Sequence, residues 1–142
     1  MHKVVLDANV YIKLFKKEAD SQQAINLLNR LVREVIPIVT PSIAVSETIT
    51  TCEVNKQDIT DVCDFFCALY DSNISFVEMD DKLIKKTLDI TSHGHYKSGF
   101  PTFNDSLYQA VAIQESALFI TADKRHYEKT KHLGNIELLG NL

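Results

Sequence analysis

The sequence predicts an α/β fold, in which a central, mostly parallel sheet of about five strands is covered by helices on both faces. Three observations predict it. Short apolar runs recur along the chain: KVVL, IPIVT, ISFVE, LFIT and NIELL. Segments with helical apolar spacing lie between them. The two kinds alternate, and strands alternating with helices imply parallel pairing with both sheet faces buried.

Taken in order, KVVL at residues 3 to 6 reads as a buried strand and ANVYIKLFKK as a short helix after it. A second helix is predicted over 20 to 34, where Ala24, Leu27, Leu28, Leu31 and Val35 recur on one face. IPIVT is the second strand. TPSIAVSETITTCEV starts a helix near Pro41 or Ser42, proline being well placed in a first turn. Residues 57 to 71 form another helix, with a stripe of Ile59, Val62, Cys63, Phe66, Cys67 and Tyr70. ISFVE is strand three. A helix from about 80 to 91 carries Leu83, Ile84, Thr87 and Leu88. HGHYKSGFP, with two glycines and a proline, is the least ordered-looking internal stretch. TFNDSLYQAVAIQESA is a helix, LFIT strand four and NIELL strand five.

Composition narrows the class. A chain of 142 residues with 45% hydrophobic content suits one domain with one core. No run reaches the roughly 18 apolar residues that a membrane span needs. An acid at residue 7 leaves no room for a secretory signal's apolar region, so an intracellular, cytoplasmic protein is expected. Cys52, Cys63 and Cys67 lack the Cys/His partners of a zinc site and are expected as reduced, partly buried thiols. The net charge of −4 argues against a protein held to nucleic acid by overall charge. KRHYEKTKH, residues 124 to 132, is locally basic, with four Lys/Arg against one Glu. It reads either as a solvated surface or as a phosphate-contacting rim.

Four acids stand out against this frame. Asp7 and Asp123 each follow a strand, Asp105 opens a helix, and Glu47 lies early in another. In a parallel sheet all four fall at the C-terminal edge, where open α/β sheets place ligands. Each alone has an ordinary structural role available. Asp7 can cap a helix, Asp105 shares capping-box spacing with Thr102, Asp123 can end a strand in a turn, and Glu47 can face solvent. Together they repel one another unless some are protonated or a cation neutralises them. Oxygen ligands of this kind suit Mg2+ or Mn2+. Such an ion activates water and stabilises charge on a phosphoryl oxygen, which points to phosphodiester hydrolysis. Asn9 is placed to orient Asp7 or a water, and Thr121 to hydrogen-bond a ligand carboxylate. Tyr108 falls one turn after Asp105. Tyr11 and Phe15 read as core or interface. His93 and His95 form no metal motif by themselves, and Lys97 is a candidate to line an entry path.

With VVLDANVYI, Glu47 in its helix, TFNDSLYQAV and FITADKR in this order, the chain resembles the PIN-domain family over almost its full length. The resemblance implies a three-layer α/β/α sandwich and Mg2+- or Mn2+-dependent cleavage of single-stranded or structured RNA, as in small VapC-like toxin ribonucleases. Asp7, Glu47, Asp105 and Asp123 match the family's acidic, metal-binding positions. Thr121 matches the hydroxyl residue before the last acid, and Asn9 a frequent polar position after the first. It further implies a homodimer and a protein antitoxin as partner. One departure is visible: Lys124 and Arg125 follow the last acid, where many toxin-like members have another acid and an aromatic.

The competing reading is a non-catalytic RNA- or protein-binding module on the same fold. A haloacid-dehalogenase phosphatase would need an Asp where Asn9 stands. A response-regulator receiver would need paired early acids, and Asp7 is alone.

Overall fold

The computed structural model describes residues 1–142. Five strands, β1 (Val4–Leu6), β2 (Ile38–Pro41), β3 (Ile74–Val77), β4 (Leu118–Thr121) and β5 (Ile136–Leu138), form one sheet in the order β3-β2-β1-β4-β5. All four pairings are parallel. Helices α1 (Ala8–Ile12), α2 (Ser21–Arg33), α3 (Ile43–Val54), α4 (Ile59–Leu69), α5 (Asp81–Thr91), α6 (Phe103–Gln114) and α7 (Lys124–Thr130) make the connections. The sheet is the middle layer of an α/β/α sandwich. No helix is long and apolar enough to cross a membrane.

The layers follow from the strand order. From β1 the chain winds outward through β2 to β3, then crosses back to β4 and on to β5. Right-handed crossovers put helices of the outward path on one face and those of the return path on the other. Every residue of β1 and β2 is buried. Burial on both faces explains why these strands read as apolar runs without polar alternation. Helix α6 lies across β1, β2 and β4, with α5 packed over it. Its residues Ser106 to Ala112 are all buried, and small side chains at Ser106, Ala110 and Ala112 leave room for close packing on two sides.

Boundaries agree with the sequence apart from two regions, the first helix and the glycine-containing stretch. The first helix stops at Ile12 instead of running on through Lys17. There the buried Lys13 ammonium meets Glu18 at 3.1 Å and Asp20 at 2.9 Å, which folds the following loop back. The basic stretch after Asp123 is a helix. The glycine-containing stretch before α6 is a hydrogen-bonded turn, with a bridge between His95 and Gly99. The three thiols are free, with Cys52 buried, Cys63 half-buried and Cys67 exposed.

Helix α2 ends in a Schellman arrangement: the Ile36 N–H donates to the Leu31 carbonyl at 2.9 Å and the Val35 N–H to the Val32 carbonyl at 3.2 Å. This puts Val35 at φ 54°, a left-handed conformation that is costly for a β-branched residue. Its side chain is 71% exposed, so little burial offsets that cost. Val35→Gly is expected to stabilise the protein by about 1 kcal/mol in urea unfolding.

Candidate functional site

The winding reverses between β1 and β4, and the chain leaves both strands at the same edge of the sheet. That crevice is where the site forms. Asp7 follows β1 and caps α1, its Oδ1 accepting from the Asn9 N–H at 3.5 Å. Asp123 follows β4 and caps α7, its Oδ1 accepting from the N–H groups of Arg125 at 2.9 Å and His126 at 3.2 Å. Thr121 joins the two strand ends. Its hydroxyl donates to Asp7 Oδ2 at 2.6 Å, and accepts from Asn9 Nδ2 at 3.3 Å and the Asp123 N–H at 3.0 Å. Asn9 closes the ring, its Oδ1 accepting from the Ala122 N–H at 3.1 Å.

Glu47 and Asp105 reach the crevice from helices. Glu47, in the second turn of α3, is half-buried and accepts a hydrogen bond from the Tyr108 hydroxyl at 3.2 Å. Asp105 sits in the first turn of α6, behind the cap Thr102, whose hydroxyl accepts from the Asp105 N–H at 3.3 Å. The reciprocal half of a capping box is not made: the Asp105 carboxyl takes no hydrogen bond from the protein.

Asp7, Glu47 and Asp105 lie close enough for their charges to oppose one another. Burial pushes the Asp7 carboxyl up to about 7; the Thr121 hydrogen bond works against this, and the charges of Asp105 and Glu47 add to it. Burial raises Glu47 as well, with the Tyr108 hydrogen bond opposing and Asp105 reinforcing. No lysine, arginine or histidine forms an ion pair with any of the four acids. The donors are all hard oxygens, the chemistry that suits Mg2+ or Mn2+. The side chains do not form a ready-made cage, since no three His, Cys, Asp or Glu residues are arranged to hold a metal ion.

Beneath the acids runs a polar network that sequence reasoning missed. The buried Gln109 amide donates to the Thr130 carbonyl at 3.2 Å and the Gly134 carbonyl at 2.9 Å, and its Oε1 lies 3.2 Å from His126 Nε2. This ties α6 to α7 directly below Asp105 and Asp123. The one available signal was a glutamine among the apolar residues of α6. Tyr108, one turn after Asp105, stacks on Phe119 and serves Glu47. Tyr11 is core, with its hydroxyl 2.7 Å from Thr40 Oγ1. Phe15 packs on Phe65. His93 is exposed and engages its own helix through the Asp89 carbonyl at 2.7 Å. His95 stacks on Tyr96.

The PIN domain profile matches residues 4–132. No curated protein sequence matches the chain. Among solved structures, FitAcB from Neisseria gonorrhoeae superposes with TM-score 0.70 at 16% identity, covering 98% of this chain and 99% of that one. DNA-bound VapBC from Salmonella typhimurium gives 0.68 at 19% identity, over 98% and 99%. VapC20 from Mycobacterium tuberculosis, described as a Sarcin-Ricin loop cleaving toxin, gives 0.65 at 12% identity, over 81% and 85%. At these identities the likeness is one of fold.

The Asp7 carboxyl sets a pH dependence. Its folded pKa lies above that of an unfolded carboxyl, so between about pH 4 and 7 the native state binds the extra proton. The stability from this group is therefore full in acid and lost as pH rises through about 7. In EDTA, Asp7→Asn is expected to remove a decline of up to about 4 kcal/mol between pH 4 and 8, read from urea midpoints.

Proposed function

We propose that this chain, which belongs to the PIN-domain family, is a metal-dependent endoribonuclease that hydrolyses RNA phosphodiester bonds and acts as the toxin of a toxin–antitoxin pair in the cytoplasm. The observation that carries this reading is a buried Asp7 carboxyl at the switch point of the sheet, opposed by Asp105 and Glu47 and balanced by no cation of the protein's own. Further support comes from other proteins with this fold, which include a toxin–antitoxin complex from Klebsiella pneumoniae and a toxin that cleaves the Sarcin-Ricin loop.

Asp7, Glu47, Asp105 and Asp123 would hold Mg2+ or Mn2+. When bound, such an ion makes water more acidic and offsets charge on the phosphoryl oxygens. The chain's own groups do the rest. Thr121 fixes the rotation of the Asp7 carboxyl and is itself held by Asn9, so both are positioning residues. Tyr108 orients Glu47. Asp105, which takes no hydrogen bond from the protein, would be free to accept the proton released as water attacks phosphorus, while the ribose oxygen whose bond to phosphorus breaks takes its proton from solvent.

The lack of a preformed three-ligand arrangement favours one second reading, a non-catalytic RNA- or protein-binding module. Cleavage of a mixed RNA pool with Mg2+ or Mn2+, beside EDTA and Asp105→Asn controls, separates the two. The wild type is expected to cut only with metal, and Asp105→Asn to lose at least about 100-fold in rate. Mn2+ should raise the melting temperature of the wild type and leave that of Asp105→Asn nearly unchanged. Equal metal-dependent cleavage by both proteins would overturn the assignment.

A homodimer and a protein antitoxin belong to the same reading. Helix α5 exposes Ile84 and Leu88 one turn apart, with Met79 just before the helix, an apolar patch suited to a subunit contact. Light scattering at micromolar concentration is expected to give twice the mass of the chain. A monomer mass would rule out a stable dimer.

A further inference from the structure

The turn between α5 and α6 has a defined internal structure. The His95 N–H donates to the Gly99 carbonyl at 3.0 Å, and the Gly99 N–H returns to the His95 carbonyl at 2.8 Å. The Lys97 N–H donates to His95 Nδ1 at 3.2 Å. Gly99 adopts φ 90°, and a Cβ on Gly94 would lie 2.4 Å from the Gly99 carbonyl oxygen. Only glycine permits this closure at both positions.

The turn holds two aromatic rings in solvent. Tyr96 is 86% exposed and Phe100 is 68% exposed. The third strongly exposed ring, Tyr70, stacks on Phe76. The His95 ring lies 4.6 Å from that of Tyr96, and the Lys97 ammonium 5.6 Å from it. Ser98, between the two aromatics, borders an open depression of about 470 Å3 whose other lining residues, Lys124, Arg125, Glu128 and Lys129, come from α7. Glu128 is engaged by Lys131 at 2.8 Å. Lys124, Arg125 and Lys129 form no ion pair. Lys124 immediately follows Asp123, so the depression abuts the acidic crevice.

We propose that this turn and α7 together form a binding groove for single-stranded RNA, with Tyr96 and Phe100 stacking on unpaired bases and Lys124, Arg125 and Lys129 holding backbone phosphates. Exposed aromatic rings beside unpaired cations fit a strand that offers both open bases and phosphates. In a duplex the bases are already stacked and hidden from these rings. The chain as a whole carries a net charge of −4 and repels a polyanion, so the cationic rim also sets its direction of approach. The choice of RNA as the polymer rests on the ribonuclease reading; the selectivity for single strands does not.

The test is fluorescence anisotropy with the full chain in EDTA, where nothing is cut, using an unstructured RNA of about 12 nucleotides and the same sequence as a duplex. Tyr96→Ala and Phe100→Ala should each weaken single-strand binding by about 10-fold and leave duplex binding nearly unchanged. Lys124→Ala and Lys129→Ala should each flatten the dependence of log Kd on log salt by about 0.7. All four side chains lie on the surface, and unchanged melting temperatures verify the fold. Unaltered single-strand affinity in the aromatic variants overturns the proposal and leaves Tyr96 and Phe100 as a protein-docking surface. Equal losses on single strand and duplex overturn it too, as does a wild type that binds no RNA. A wild type that binds single strands through these rings but cuts nothing with Mn2+ upholds the groove and removes the ribonuclease reading.

Discussion

The Thr121 hydroxyl stands where β1 and β4 end, and it uses every hydrogen-bonding capacity it has: one proton given to Asp7, two lone pairs taken up by Asn9 and the Asp123 N–H. The consequences spread in three directions. The Asp7 carboxyl is fixed in rotation at the end of β1. Asn9, held at both its amide nitrogen and its oxygen, locks the start of α1 against the exit from β4. Asp123 is held through its backbone while its side chain caps α7. Loss of this one hydroxyl would take a partner from three polar groups, of which the Asp7 carboxyl is buried, and leaving a buried polar group unpaired costs about 1–3 kcal/mol.

That rigidity maintains an unfavourable charge arrangement. Carboxylates kept apart by flexible chain would drift into water and ionise at their ordinary values. Here the strand ends, the second turn of α3 and the first turn of α6 keep three of them together, and Asp7 rises to about 7. The protein's cations lie elsewhere. Lys13 is pinned by Glu18 and Asp20, and Lys124, Arg125 and Lys129 form the rim of a neighbouring depression. Negative charge is thus concentrated at the crevice floor and positive charge beside it, a layout that draws a polyanion close without neutralising the acids from within.

Most of the fold and the placement of the four acids at one sheet edge were legible because they depend on local pattern and on chain direction. Five apolar runs gave five strands, and parallel return placed Asp7, Glu47, Asp105 and Asp123 at one edge. What was hidden depends on distant partners. The end of α1 at Ile12 is decided by Lys13 reaching Glu18 and Asp20, and helical periodicity does not record such pairs. The Tyr108–Glu47 hydrogen bond joins α6 to α3 across 61 positions of sequence. Gln109 looked like an ordinary polar residue of a helix, because nothing local shows that α6 is buried on all sides. The turn at residues 93–101 looked loose since glycines suggest freedom; here they permit a tight hydrogen-bonded closure.

His126 bears on whether the acids have a counter-charge within the protein. It is buried, and it lies within electrostatic reach of both Asp105 and Asp123, so His126 is the one residue that could have supplied an internal counter-cation. Burial nevertheless lowers its pKa, and although the two acids work in the opposite direction, the ring stays neutral at neutral pH. Its Nε2 is committed to Gln109, and its Nδ1 has no partner. A cluster selected only for stability would be expected to charge this ring or replace one of the acids, since uncompensated buried carboxylates are costly. The four acids are also held unequally. Asp7 and Asp123 are fixed as helix caps at strand ends, Glu47 is tethered through one oxygen, and Asp105 is held by no hydrogen bond to its carboxyl. On the metal-dependent reading, Asp7 and Asp123 would offer fixed oxygen donors, and Glu47 and Asp105 adjustable ones.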